Sequence, residues 1–413
     1  MTRRVVLTGM GTVNPLGLSV AQTWKNIQDG VSGVGPITLF DTSDLQVHIG
    51  CEVKGFDPEA YMEAREARRR DRFEQFASAA AQEALAQAGY QIPPGQAGRV
   101  AVIVSSAVGG MKTIQDTILT MVEQGPRRVS PFSIPMLMSN GAAGLVAIDT
   151  GAKGPCFSVA SACAAGADGI GQAWHLIRSG VADAALAGGS ESTLTRVGIA
   201  SFDRLGALSR RNEAPQSVPA PFDANRDGLV MGEGAAVVVL ETLDHARARG
   251  AQILAELVGY AATADAYHVT APAEDGAGGA AAIAAALEQA RLAPQDVDYV
   301  NAHGTGTALN DLSETRAIKA ALGQHAYRVP ISSTKSMTGH MMGATGALEA
   351  IFCVLAIRDG LVPPTLHLDT PDPECDLDYV PHQARRQPVR VAISNAFGFG
   401  GHNAVLAFQA FSD

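Results

Sequence analysis

Short, continuous apolar runs alternate along the chain with stretches of helical period, and this alternation predicts most of the elements. Val5-Val6-Leu7 reads as a buried strand running into a glycine turn at Gly9-Met10-Gly11. Residues 20–30 have helical spacing, and 73–88 predicts a long Ala-rich helix stopped by Gly89. Val100–Val104 is apolar throughout, as a strand covered on both faces would be, and a tight turn follows at 105–110. An amphipathic helix is expected over 111–124, a proline-punctuated loop over 130–135 and a further helix over 140–149. Ile170, Trp174 and Ile177 recur at i, i+4 and i+7 before a stop at Gly180. Ala184–Ala187 reads as a short strand ending in Gly188-Gly189. Strands are expected over 235–240, 252–260, 297–302 and 330–333, with a helix over 276–291 and a long apolar helix through Ile357. Two strands, 389–394 and 404–408, close the chain around a glycine-rich segment.

This order predicts an α/β fold whose sheets are largely buried. Both halves open on an apolar strand that leads into glycine-rich sequence, and both end in hairpin-like pairs. A duplicated unit is therefore expected, with halves 1–250 and 251–413 and no long linker between them.

Composition narrows the classes. A chain of 413 residues with 46% hydrophobic and 17% charged residues is expected to be a soluble globular protein with two or more core-forming units. No apolar run reaches membrane-spanning length, and Met1-Thr2-Arg3-Arg4 leads into the first strand without a signal-peptide pattern, so a cytoplasmic setting is expected. The five cysteines are odd in number, widely spaced and without a C-x-x-C pair, which argues against disulfides and zinc. A net charge of −10 argues against general nucleic-acid binding. Against it stands a basic run, Arg65, Arg68, Arg69, Arg70 and Arg72. Such a run is either a solvated helix face or a docking patch for an acidic partner.

Two motifs suggest chemistry that their spacing then denies. Gly9 and Gly11 resemble a dinucleotide-binding turn, but position 14 is Asn and no acidic residue ends a second strand about 20 residues on. Asp223, Asn225, Asp227 and Gly228 resemble a calcium loop, but its twelfth position is Gly234 and a β-like run follows. That segment is expected to be a structured loop.

Three reactive residues sit where an element meets small or glycine-rich sequence. Cys163 lies in Ser158–Ala167, at the start of the helix that carries Trp174. The partial positive charge of a helix N-terminus favours a thiolate there. The other reading is a buried structural cysteine. His303 ends a strand and His340 precedes a buried helix, both with small neighbours that admit a substrate. His48, His175, His245, His325, His367 and His382 are read as structural. Two neutral imidazoles beside a thiol suit a reaction that builds negative charge on a thioester oxygen. A zinc site from the same three residues is the competing chemistry, unsupported by any close-spaced ligand pair.

The segments Ser161-Ala162-Cys163, His303-Gly304-Thr305-Gly306-Thr307, Thr334–His340 and Asn395–Gly401 together closely resemble the condensing enzymes of fatty-acid synthesis, the elongating β-ketoacyl-[acyl-carrier-protein] synthases. The likeness runs from Val5 to Phe408. It implies a thiolase-like fold of two βαβαβαββ halves in a five-layered α-β-α-β-α body, and a homodimer. It implies that Cys163 takes the acyl chain, and that His303 and His340 hold the malonyl thioester and stabilise the enolate left by CO2. It further implies that Lys335 and Glu349 order the histidines, and that the amides of Cys163 and Phe399 form an oxyanion hole. Phe399 is also the implied gate. Thr305 and Thr307, with Thr270 as a further candidate, would bind the phosphopantetheine arm. No cofactor is expected on the enzyme, because that arm arrives on the acyl carrier protein. Val108, Ser133 and Phe202 would line the acyl pocket, and Ser133 stands where an aromatic residue is common. Arg65, Arg68 and Arg69 match the docking region for the acidic carrier. No metal ligand is implied apart from a monovalent cation near Asn301, Glu349, Ser394 and Asn395.

Four related activities compete. A degradative thiolase would carry a second cysteine in the last glycine-rich loop, and 395–403 has none. An initiating synthase pairs Cys with one His and an Asn, which His340 speaks against. A non-catalytic chain-length partner generally lacks the nucleophile. A polyketide ketosynthase shares most of these motifs and is the main alternative.

Overall fold

The computed structural model describes residues 3–412, so Met1, Thr2 and Asp413, and with them the first residues of the expected leaderless start, lie outside the described residues. Its ten main strands are β1 (Val5–Val13), β2 (Val100–Ser105), β3 (Cys156–Phe157), β4 (Ala184–Ser192), β5 (Glu233–Thr242), β6 (Ala255–Ala264), β7 (Tyr299–Asn301), β8 (Ile331–Ser332), β9 (Val391–Gly398) and β10 (His402–Gln409). They lie in the order β3-β2-β4-β5-β1 and then β6-β10-β9-β7-β8. Numbered within its own half and read from the outer edge of the sheet inward, each set of five runs 3-2-4-5-1. The directions agree as well. β2 is parallel to β3 and β4, as β7 is to β8 and β9, whereas β5 and β10 are antiparallel to both neighbours. The two halves meet through Val6 opposite Glu256 and Leu7 opposite Ala255, which joins two five-stranded layers into one continuous sheet.

The longest helices among the described residues are α1 (Arg72–Ala88), α2 (Met111–Gln124), α3 (Ala165–Arg178), α4 (Ala277–Ala290), α5 (Ala308–Leu322) and α6 (Thr345–Asp359). α3 and α6 fill the space between the two sheet layers in one apolar core with Leu7, Ile103, Val238, Leu257 and Phe408. Every residue of α6 from Thr345 to Ala356 is buried, as expected of a helix apolar on all sides. α1 and the helix Gly141–Thr150 cover the outer face of the first half, and α4 and α5 that of the second. The result is the expected α-β-α-β-α stack.

Local sequence accounts for the boundaries of α1. Asp71 accepts from the Phe73 amide while Glu74 returns a bond to the Asp71 amide, and Gly89 ends the helix in a left-handed conformation. The glycines before it do not make the expected turn. β1 runs straight through Gly9 and Gly11, where a Cβ would come 2.1 Å from the Ala84 oxygen and 2.0 Å from the Ala80 oxygen. They are small because α1 lies directly on the strand.

Other expectations shift. Part of 130–135 is helical, as Ser133–Leu137, and β4 continues through Gly188-Gly189 to Ser192. The last hairpin stays paired as far as Gly398 opposite His402. α5 and a helix at Arg196–Arg204 are unanticipated, α5 because its inward face carries Asp311, Ser313, Glu314 and Thr315 in place of an apolar stripe. The loop from Asp223 is structured, as expected: its carboxylate accepts from the amides of Asn225, Asp369 and Thr370 at 2.6–2.9 Å.

The basic run separates into two groups. Arg70 is buried, forking onto Asp149 at 2.6 and 2.7 Å, and Arg72 grips Glu233 at 2.7 and 2.9 Å. Arg65 and Arg68 remain exposed. Arg69 is half-buried, 3.4 Å from Glu66 and 4.6 Å above the Phe132 ring. Among the described residues, no helix is long and apolar enough to cross a membrane.

Candidate active site

Cys163 lies on a one-turn 3-10 segment, Ala162–Ala164, that leads directly into α3. Ala162 before it is held at φ +51°, a left-handed conformation that alanine rarely adopts. Gly398 of the closing hairpin is pressed against this turn. A Cβ on it would come 3.0 Å from both the Cys163 nitrogen and the Ser161 oxygen. The hairpin from the second half thus approaches the thiol of the first by backbone alone.

His303 follows β7. Its amide and that of Gly304 both donate to Glu314 of α5 at 2.7 Å, and Asn395 adds a third bond to that carboxylate at 3.1 Å. His340 ends the turn after the short helix Lys335–Thr338. Its amide donates to the Val230 carbonyl at 2.8 Å, and its Nδ1 lies 3.0 Å from the Thr345 hydroxyl at the start of α6. The two rings meet edge to face, 5.3 Å between centroids. The sulfur and one nitrogen of each ring all lie within 4.8 Å of one another, as donors of a single metal would, although Cys163 stands more than a hundred residues before either histidine.

Charge states follow from burial. Burial and the neighbouring Lys335 hold both imidazoles well below their ordinary range, so both are neutral near pH 7. His303 Nδ1 and His340 Nε2 are buried without a hydrogen-bond partner among the described residues. At Cys163 the expectation of a favoured thiolate is reversed. Burial pushes the thiol up to about 11, although Lys335 and the amides of Phe399 and of Cys163 itself pull the other way. Lys335 Nζ donates to Glu349 Oε1 at 2.7 Å, and neither side chain reaches solvent.

Cys163, His303 and His340 line one cavity of about 260 Å³. Phe202, Leu229, Met342, Phe397 and Phe399 supply apolar walls, and Thr270, Thr305 and Thr307 line it too. Phe202 and Phe399 stack at 6.2 Å, and the Thr305 and Thr307 hydroxyls share a 2.9 Å bond. Val108 and Ser133 are not among the lining residues of this chain's cavity. Val108 is 44% exposed, and Ser133 bonds the Thr117 hydroxyl at 3.0 Å. Glu314, Glu191 and Thr345 escaped the sequence reading. Glu191 is buried, accepts from Ser106 and from the amides of Ala107 and Gly343, and so ties a first-half loop to the turn after His340. Thr345 and Glu314 lie close in sequence to the histidines they support, whereas Glu191 is brought in by the fold; no local motif marks any of them.

Two halves of identical topology, with a thiol from one and two imidazoles from the other around a shared cavity, define the thiolase-like ketosynthase fold. The chain belongs to the beta-ketoacyl synthase family, matching its N-terminal domain over residues 2–246 and its C-terminal domain over 254–369. It is 49% identical over 409 residues to 3-oxoacyl-[acyl-carrier-protein] synthase 2 of Synechocystis sp. (strain ATCC 27184 / PCC 6803 / Kazusa), covering 99% of this chain and 98% of the relative. The structure of a beta-ketoacyl synthase from Burkholderia phymatum STM815 superposes with a TM-score of 0.92 at 37% identity, over 99% of this chain and 100% of the other. A ketosynthase described in complex with its type II PKS acyl-carrier protein and bound to the hexaketide superposes with a TM-score of 0.92 at 36% identity, over the whole of both chains.

Proposed function

We propose that this enzyme elongates fatty-acid chains by decarboxylative condensation of malonyl-[acyl-carrier protein] with an acyl group held on Cys163. The observation that carries the reading is the mutual approach of the Cys163 sulfur and two neutral imidazoles within 4.8 Å. The higher identity to an elongating synthase than to the polyketide ketosynthase favours fatty-acid elongation. Family membership favours thioester chemistry over zinc for the same three side chains.

In the first step the sulfur of Cys163 attacks the acyl thioester. The carrier thiol leaves, taking up the proton that Cys163 gives up. The amides of Phe399 and Cys163 face the sulfur and would receive the oxyanion of the tetrahedral intermediate. In the second step the malonyl thioester loses CO2, and its carbonyl oxygen takes the enolate charge. His340, its Nδ1 beside the Thr345 hydroxyl, presents Nε2 to that oxygen, with His303 opposite. Both imidazoles are neutral, so each acts as a hydrogen-bond donor and spends no proton. The enolate carbon then attacks the acyl-Cys163 carbonyl. The carbon–carbon bond forms, the sulfur departs and is reprotonated, and a 3-oxoacyl chain two carbons longer remains on the carrier. Lys335 and Glu349 position the histidines, and Phe399, stacked on Phe202, gates the acyl side.

The phosphopantetheine arm would lie along Thr305, Thr307 and Thr270, and the enzyme itself needs no cofactor. Exposed Arg65 and Arg68, with Arg69, are the proposed contacts for the acidic carrier. Exposed Ile118, Leu119, Met121 and Val122 on α2, with Ile134 nearby, form an apolar face suited to a second copy of the chain in a cytoplasmic homodimer. Ser133, bonded to Thr117 of α2, adjoins that face, and Val108 is itself exposed, so their part in setting acyl length would depend on pairing. The cation site fits its residues: Asn301 Oδ1, Glu349 Oε2, Ser394 Oγ and Asn395 Oδ1 are all buried oxygens without a partner among the described residues. A monovalent cation there would offset the Glu349 charge.

Intact-mass spectrometry tests the reading. Incubation with acyl-carrier substrates should add one acyl group at Cys163, and a malonyl-carrier chase should remove it as a 3-oxoacyl-carrier. Folded, reduced enzyme that acquires no adduct at any chain length would overturn the proposal.

A further inference from the structure

Asp168 has no part in the chemistry above, yet it is buried within the first turn of α3, the helix that follows the nucleophile. One carboxylate oxygen accepts from the Ser161 hydroxyl, and the other accepts from the Tyr260 hydroxyl at 2.7 Å. Ser161 and Tyr260 are also buried. Ser161 stands two residues before Cys163, on the near side of the strained Ala162, and its carbonyl receives the Ala164 amide at 3.1 Å. Tyr260 belongs to β6 of the other half, paired opposite Leu406 in the strand that follows the Phe399 turn.

A left-handed alanine persists only where its surroundings over-determine it. Two restraints act on this one. Gly398 packs against the backbone of the turn, and Asp168 holds the side chain at its start. We propose that Asp168 is a positioning residue for the nucleophile: through Ser161 it sets the turn that aims the Cys163 sulfur, and through Tyr260 it registers that turn against the half carrying the histidines. The proposal rests on the condensing reaction assigned above. It adds a residue to that reaction which the motifs do not mark.

The test separates the two half-reactions. Acyl transfer to Cys163 needs the aimed sulfur, whereas decarboxylation of malonyl-carrier needs only the histidines and the bound thioester. Asp168→Ala and Ser161→Ala should each lower the rate constant of Cys163 acylation about tenfold or more, with KM for the acyl-carrier within about twofold of wild type. Their double variant should be no slower than either single one, because both break the same link. Asp168→Asn should recover most of the rate, since its amide can donate to Ser161 while its oxygen accepts from Tyr260. Malonyl-carrier decarboxylation should be unchanged in all of them. Tyr260→Phe, which removes one hydroxyl and leaves the ring in place, repeats the test if the alanine variants fold poorly. Wild-type acylation rates in Ser161→Ala and Tyr260→Phe, or a parallel loss of decarboxylation, would overturn the proposal. Wild-type enzyme that neither acylates nor decarboxylates would instead overturn the assigned reaction. Alkylation of Cys163 by iodoacetamide, slower in the variants if the turn is misaimed, reads the positioning independently of that reaction.

Discussion

The ammonium of Lys335 lies 2.7 Å from Glu349 Oε1, and both side chains are sealed from solvent between the His340 turn and α6. Burial raises Glu349 to about 7, and Lys335 works against that rise. The same ammonium helps burial to keep His303 and His340 well below 6.5. Lys335 therefore adds to burial in keeping the two imidazoles neutral.

Lys335→Met should expose that role. Wild-type malonyl decarboxylation is expected to show no histidine limb across the ordinary imidazole range. In the variant the imidazole values should rise toward that range and an acidic limb should appear. The unpaired carboxyl should also lower stability by about 3–5 kcal/mol. A pH–rate profile and a denaturant titration read the two effects, and a wild-type limb near 6.5 would count against the argument.

The split arginine run makes a second prediction. Charge reversal at Arg65 and Arg68 should leave Tm unchanged and raise KM for carrier-borne acyl groups much more than for acyl-CoA. Arg70→Ala should do the reverse. It removes the guanidinium that grips Asp149 and Ser78, leaving the Asp149 carboxylate with only the Ser78 hydroxyl at 2.8 Å, and should destabilise the fold by roughly 2–4 kcal/mol, with little change in carrier KM.

Gly11→Ala and Gly144→Ala should move stability in opposite directions. The first places a methyl group 2.0 Å from the Ala80 carbonyl and should remove roughly 3 kcal/mol. The second meets nothing within 4 Å on the helix Gly141–Thr150 and should add about 0.5–1 kcal/mol through helix propensity. Thermal unfolding of the two variants tests how tightly α1 lies on β1.

Glu241 predicts part of the acid response. Burial opposes its ionisation, but Arg249, His245 and Thr8 prevail and hold it at about 2, below the ordinary 4.5. A carboxyl lowered on folding contributes its stability above 4.5 and loses it as pH falls toward 2, a component of about 3 kcal/mol. Glu241→Gln should lose that component at neutral pH and show a shallower decline between pH 4.5 and 2. An unchanged slope would show that this carboxylate does not govern the decline.

Local pattern was enough for much of the architecture. The apolar runs that became β2 and β5, the helix over 73–88 with its glycine stop, and the repeat of the same element order in both halves were all legible, because period and stop signals act within a few residues. Cys163, His303 and His340 were legible as well, since each sits in small-residue sequence at the end of an element. The resemblance carried by their motifs pointed to the family that the comparisons assign.

Tertiary structure decided what depends on contact across the chain. Whether Gly9 and Gly11 turn or lie flat was decided by α1 on top of them, and whether an arginine faces water by the presence of Asp149 or Glu233 in reach. The sequence at Cys163 predicted a thiol favoured as thiolate by its helix, but the closed core around it imposes the opposite shift. Asp168 and Glu314 lie near Cys163 and His303 in sequence, but the Tyr260 and Asn395 that they tie in do not, and Glu191 reaches Gly343 from the other half. Their roles were invisible because desolvation and hydrogen-bond geometry belong to the assembled interior and not to any window of residues.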